Sequence, residues 1–225
     1  MTLGQLDPQL PALPRRESTA EAVAAVLRTE IARGRIVPGT QLREERIAAS
    51  LEVSRNTVRE AFRLLSHEGL VEHALHRGVF VRVVGPEEIR AMYRTRQLIE
   101  PLGLRVAAAD RERLRALRQL VEDASSHAGA GDWDAVGTAD IEFHRQVVAA
   151  CDSPHLSAMF EALLAELRLA FLGLPDRQAL HEPFLRRNDA LLTLLEAGEV
   201  DPALVQLEDY LTDAETHLLA VVASA

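Results

Sequence analysis

Two groups of residues in this chain have the types and spacing to do chemistry. The first surrounds Asp140 and His144, one helical turn apart, which puts a carboxylate and an imidazole on the same helix face. Trp133, Asp140, Val147, Val148 and Cys151 fall within about 60° of His144 on a helical wheel, while Glu142, Arg145 and Gln146 take the solvent side. Three further polar residues interrupt apolar stripes. Arg96 shares a face with Ile89, Met92, Tyr93 and Ile99; Asn188 sits amid Leu185, Leu191, Leu192 and Leu195; Tyr210 lies beside Leu207, Leu211 and Ala214. An isolated buried charge costs on the order of several kcal/mol, so such groups must satisfy one another, a ligand or an ion. We expect Arg96, Asp140, His144, Asn188 and Tyr210 to converge on one pocket, with Arg96 able to pair an acidic group. The alternative is separate satisfaction: His144 by Asp140, Asn188 by a carbonyl, Tyr210 by solvent at its hydroxyl.

The second group lies between residues 43 and 78. Val58, Ala61, Phe62 and Leu65 follow the i, i+3, i+4, i+7 rule of a buried helix stripe, so Asn56, Arg59 and Arg63 point away from it and Arg55 sits at its margin. Ser54 is a good N-cap, and the first-turn amides with Ser54, Asn56 and Thr57 can hold phosphate or reach base edges. Arginine is suited to bidentate contact with guanine in the major groove. The bland reading is a solvated arginine face.

These residues need elements to position them. The chain has 225 residues, 48% of them hydrophobic and only 4% aromatic, enough apolar content for a helix-rich globular protein and a poor composition for a sandwich or barrel. A single cysteine, Cys151, excludes an internal disulfide framework and a thiolate zinc site, and implies a reducing compartment. No run approaches the roughly 18 apolar residues of a membrane span, so a soluble, cytoplasmic protein with no membrane partner is expected. All 25 basic side chains are arginine. Residues 1–86 carry net charge +2 and residues 87–225 carry −11, which suits a head that meets a polyanion and a body that stays off it.

Residues 1–16 read as a loose arm. Ser18 and Glu21 have capping-box spacing for a helix running to Arg33, ended by Gly34. Helices are expected over about 44–51 and 54–66. Leu70–His73 and Val79–Val84 should pair as a hairpin with its tip at Ala74–Gly78. Gly85-Pro86 divides residues 17–85 from a helical region over 87–222. Breaks at Gly129–Gly131, Asp152–Pro154, Gly173–Pro175 and Gly198–Pro202 leave about five to seven helices there. The fold class is mainly α, an N-terminal winged helix-turn-helix with a small β-hairpin wing and a C-terminal all-helical bundle.

The run PGTQLREERIAASLEVSRNTVREAFRLLSHEGLVE, followed by HRGVFV, resembles the winged-helix domain of GntR-family transcriptional regulators across residues 18–84. The resemblance implies contacts to double-stranded DNA from Ser54, Arg55, Asn56, Thr57 and Arg59, from Arg43 and Arg46 on the preceding helix, and from Arg77 and Gly78 at the wing. Glu52 stands where the turn usually has Gly, at a cost of roughly 1 kcal/mol if the residue is left-handed. Glu45 stands where many members have a basic residue.

IRAMYRTRQLIEPLGLRVAA, ADIEFHRQVV and DALLTLLEAGEVDPALVQLEDYL resemble the all-helical effector domain of the FadR subfamily, called FCD, over about residues 87–219. Many members bind a divalent metal through an Asp and three His. Asp140 and His144 match the first two ligands, but Asn188 and Tyr210 occupy the positions of the others, and an amide and a phenol are poor replacements for imidazole. His181 and His217 lie seven residues from those positions, roughly 10 Å along a helix. A metal is therefore doubtful and an organic effector is expected in its place. The expected protein is a ligand-responsive homodimer reading a palindromic operator. Its rivals are a metal-dependent sensor of the same family, a constitutive binder whose body only dimerises, and an enzyme using Asp140 and His144. Against the enzyme, no nucleophile, phosphate loop or second carboxylate is expected beside that pair.

Overall fold

The structure, a computed structural model, describes residues 18–174 and 176–224; the expected arm at 1–16 and Pro175 of one expected break lie outside them. Helix α1 (Thr19–Ala32) begins on the expected capping box, with Ser18 Oγ accepting from the Glu21 amide and Glu21 Oε2 accepting from the Ser18 amide at 2.6 Å. After β1 (Gln41–Leu42) come α2 (Glu44–Ser50) and α3 (Arg55–His67), then β2 (Val71–Ala74) and β3 (Gly78–Val81). Val58, Ala61, Phe62 and Leu65 are fully buried against Val23, Ala24, Leu27 and Ile31 of α1, the stripe that the periodicity of α3 requires.

The expected two-stranded hairpin is a three-stranded antiparallel sheet in the order β1-β3-β2. Gln41 pairs with Phe80 and Val71 with Val81. The strands are also displaced by a residue or more from the expected limits. Two residues are too few to show any alternation, so β1 exists only because β3 supplies a partner edge.

The helical domain contains α4 (Pro86–Ala108), α5 (Arg111–Gly129), α6 (Trp133–Ala149), α7 (Pro154–Leu172), α8 (Arg177–Glu196) and α9 (Val200–Ser224), six helices within the expected range. Pro202, placed in a break by sequence, lies in the first turn of α9, where a missing amide hydrogen removes no helical bond. Helix α6 packs against α4, α5, α7 and α8. A Cβ on Gly103 would lie 2.2 Å from the Val147 carbonyl oxygen, so only glycine lets the backbones of α4 and α6 touch there. That approach sets Arg96 and Glu100 of α4 opposite His144 of α6. The winged helix meets α7 through Arg82 and Glu166, 3.3 Å apart, and through Arg168, whose Nη2 donates to the Ala32 carbonyl at 3.3 Å.

In the turn between α2 and α3, Glu52 holds φ +54°, a left-handed conformation that L side chains adopt at a cost. Glu52→Gly should stabilise the protein by about 1 kcal/mol, seen as a higher urea midpoint at unchanged slope. An unchanged or lower midpoint would show that the Glu52 side chain compensates its strain.

Candidate functional site

Helix α3 offers its arginines to solvent. Arg55, Asn56 and Arg59 are exposed on the side opposite the buried stripe. Ser54 caps the helix by accepting from the Thr57 amide at 3.1 Å, and its hydroxyl lies 2.8 Å from that of Thr57. Arg43 and Arg46 are exposed at the start of α2. Arg77 stands at the wing tip with its guanidinium 5.5 Å from the Phe80 ring centroid, and Gly78 takes φ +104°. All nine residues expected to touch DNA are thus exposed, Thr57 only in part; Gln41 and Glu44 were not expected beside them, and Glu45 was noted only as a departure from the family. Gln41 fixes the wing by donating to the Arg77 carbonyl at 2.7 Å. Glu44 accepts from Arg59 Nε, and Glu45 pairs with Arg55 Nη1, both at 2.8 Å. With Arg55 and Arg59 about 60% exposed, each pair contributes about 0–1 kcal/mol, little enough for a phosphate or base edge to displace the glutamate.

The second group forms one buried polar chain. Arg96 Nε donates to Glu100 Oε1 at 2.6 Å, and Glu100 Oε2 lies 2.7 Å from His144 Nδ1. His144 Nε2 is 3.2 Å from the Tyr210 hydroxyl, which donates to Asp140 Oδ1 at 3.0 Å. Asn188 Nδ2 donates to the same oxygen at 2.8 Å. All five expected residues are therefore joined, and the separate pairings are not what the structure contains: His144 Nε2 lies 3.8 Å from Asp140, and Tyr210 is buried rather than reaching solvent. A carboxylate can only accept, so His144 Nδ1 is the donor of its bond to Glu100.

Glu100 corrects the expectation that no second carboxylate accompanies Asp140 and His144. It lies one turn from Arg96 on the same face, a spacing that could have revealed it. Burial alone would raise the Glu100 carboxyl, but Arg96 and His144 outweigh it and hold it below the usual range. Burial also pushes the Tyr93 phenol up to about 12, and burial with Asp140 raises the Tyr210 phenol well above its ordinary value. The cavity beside Asp140 and Asn188, bounded also by Phe143 and Leu185, is about 10 Å³, space for about one water.

A divalent metal does not fit this donor set. Both ring nitrogens of His144 face protein partners, and Asp140 Oδ1 already accepts from Tyr210 and Asn188. His217 Nε2 is 2.8 Å from the Ala179 carbonyl, with Phe184 packed between it and Tyr210, and the His181 ring lies edge-on to Phe171. Among the described residues no group of three or more His, Cys, Asp and Glu could hold a metal ion.

A three-stranded winged helix-turn-helix with an exposed arginine face, joined to an all-helical domain around a buried polar chain, is the architecture of a DNA-binding transcriptional regulator. Residues 19–81 match the bacterial regulatory proteins of the gntR family and residues 91–213 match the FCD domain. The chain belongs to the GntR family and carries an FCD domain. It is 32% identical, over 85% of its length and 84% of the relative's, to a "Probable D-xylose utilization operon transcriptional repressor" of Paenarthrobacter nicotinovorans. It is 31% identical to the gluconate operon transcriptional repressor of Bacillus subtilis (strain 168), covering 75% of this chain and 70% of that one. A crystal structure assigned to a GntR transcriptional regulator from Rhodococcus sp. RHA1 superimposes with TM-score 0.82 at 38% identity, covering 89% of this chain and 97% of the other. Among the described residues no helix is long and apolar enough to cross a membrane.

His181 sits behind the polar chain, its Nε2 under Gly137, where any Cβ would lie 2.4 Å from it. Burial lowers its imidazole to about 4 from 6.5, Arg168 and Arg177 adding to the shift and Asp140 and Asp134 opposing it. A depressed folded value makes the unfolded chain bind the proton first. The stabilisation is whole above pH 6.5 and falls away towards pH 4, by about 3 kcal/mol. Urea unfolding between pH 7 and pH 4.5 should show this slope, and His181→Leu should flatten it; equal slopes would place the imidazole in a better-solvated environment.

Proposed function

We propose that this GntR-family protein is a repressor of the FadR subfamily that binds a palindromic operator as a homodimer and responds to a small acidic effector. Residues 17–85 form the DNA-binding unit and residues 87–222 the effector-binding and dimerisation unit. The observation that carries the reading is the exposed face of α3, where Arg55, Asn56 and Arg59 stand opposite a fully buried stripe. In B-DNA such a helix enters the major groove with its first turns towards the base edges. Ser54, Thr57, Arg43 and Arg46 then meet the backbone beside the groove, and Arg77 and Gly78 of the wing reach the adjoining strand.

The effector unit is Arg96, Asp140, His144, Asn188 and Tyr210. Arg96 Nη2 and Asn188 Oδ1 are buried and lack hydrogen-bond partners in the protein, so both can take a polar ligand. An effector larger than water must part the helices around Asp140 and Asn188, and that movement is the response. Relatives named for gluconate, galactonate and D-xylose operons agree with a small polar metabolite. The repressor acts in the cytoplasm, where its operator is.

The dimer is supported by an apolar stripe on α4. Leu98, Leu102 and Val106, spaced by four, are 75%, 56% and 46% exposed. One stripe facing its own copy across a two-fold axis makes a closed interface. Leu102→Glu should convert the dimer to a folded monomer in analytical ultracentrifugation; a persistent dimer would place the interface elsewhere.

Arg59→Ala should leave dimer and melting temperature unchanged and weaken the operator selected from a random duplex pool by about tenfold or more. Gel-shift titration decides it, because unaltered operator affinity would remove α3 from the recognition role.

A further inference from the structure

A groove of about 560 Å³ runs between α1 of the winged helix and α6 and α7 of the helical domain, far larger than the space beside Asp140. Its floor is apolar, with Ile31, Ile141, Leu164 and Leu169 buried beneath it. Three arginines and two glutamates line it. Arg28 holds Glu68 through two hydrogen bonds of 2.8 and 2.6 Å, and Arg145 holds Glu161 at 2.7 Å as well as Glu142. The third, Arg168, has no carboxylate within 4.0 Å among the described residues. Its Nη1 is buried near Gly137 without a hydrogen-bond partner, and its Nη2 reaches only the neutral Ala32 carbonyl at 3.3 Å. Burial lowers its guanidinium, Asp134 opposing and Arg177 reinforcing the shift, so its charge is incompletely compensated.

We infer that this groove is a binding site for a small amphipathic monocarboxylate, its apolar body on the floor between α1 and α7 and its carboxylate on Arg168. The volume falls within the range of small-molecule sites, and Arg168 is the lining arginine that pairs with no carboxylate among the described residues, matching one ligand carboxylate. A charge-assisted bond from a guanidinium to a carboxylate is shorter and stronger than one to a neutral carbonyl. The ligand therefore takes Nη2 from Ala32 and loosens the last turn of α1 from α7. The site is separate from the polar chain around His144 and does not depend on how that chain meets an effector.

Isothermal titration of the full chain, without DNA, with 4-phenylbutyrate as probe tests this. Saturable binding at millimolar or lower concentration is expected, weakened about tenfold or more by Arg168→Met and equally for 4-phenylbutyramide, which lacks the charge. Ala162→Phe, which fills the groove from an exposed position, should also remove binding. Tyr210→Phe should leave it unchanged. Bound probe should speed amide exchange in the last turn of α1. Absence of saturable binding overturns the site, as does binding that survives both groove variants or is lost in Tyr210→Phe; unaltered exchange in α1 overturns the loosening.

Discussion

An ionised carboxylate held where no water reaches it is the constraint around which the helical domain is built. Glu100 is 0% exposed, and an uncompensated charge there would cost several kcal/mol, of order 3–5 when a partner is deleted. Arg96 and His144 each engage one of its oxygens but are themselves buried, so their remaining polar atoms require further partners. The demand passes to Tyr210 and ends at Asp140 and Asn188, where the side chains begin to approach solvent. Apolar burial favours compactness without direction, whereas this chain of bonds fixes how α4, α6, α8 and α9 stand relative to one another. Gly103 is part of the same constraint, since any side chain there would push α4 off α6 and pull Glu100 from His144.

The winged helix uses the opposite electrostatic regime. Its arginines pair with Glu44 and Glu45 in water, where screening and side-chain entropy leave each pair little net stability. Such pairs keep Arg55 and Arg59 extended from α3 without committing them. The internal pairs of the helical domain are costly to break and specify structure; the external ones are cheap to exchange. A net-acidic body beside a near-neutral head keeps the remainder of the molecule off a polyanion.

What could be read from the sequence follows the range of the interactions. The stripe of α3, the capping box at Ser18 and the inward positions of Arg96, Asp140, His144, Asn188 and Tyr210 depend on helical periodicity, and the structure has them where that period puts them. Strand β1 depends on a partner 37 to 39 residues away and carries no local pattern. Glu100 was passed over because a carboxylate on a helix ordinarily faces solvent, and its compensating imidazole lies 44 residues on. Gln41 and Glu44 were missed for a similar reason: their importance lies in what they touch on another element. Arg168 has the reverse signature, a charge distinguished by the carboxylate it does not meet, which only three-dimensional placement can reveal.

Helix α4 is the element that joins the two regimes. Its N-terminus is fastened at the wing, where Glu88 accepts from the Gly85 amide at 2.8 Å and also pairs with Arg82, the residue following β3. Twelve residues beyond Glu88, Glu100 anchors it in the buried chain, about 18 Å away along the helix axis. A stiff helix tied at one end to the wing and at the other to a charge that cannot be left unpaired must move as a unit or not at all. Any ligand that alters the bonds of His144, Tyr210 or Asp140 acts on that far anchor, and the size of its effect at the wing is limited by its difference in affinity for the two positions of α4. The seam at Arg168 and Ala32 constrains the same winged helix from its other side, through α7. The orientation of the DNA-facing surface is therefore set through α4 and through α7 together, and Arg82, paired with Glu88 of one and Glu166 of the other, couples the two attachments.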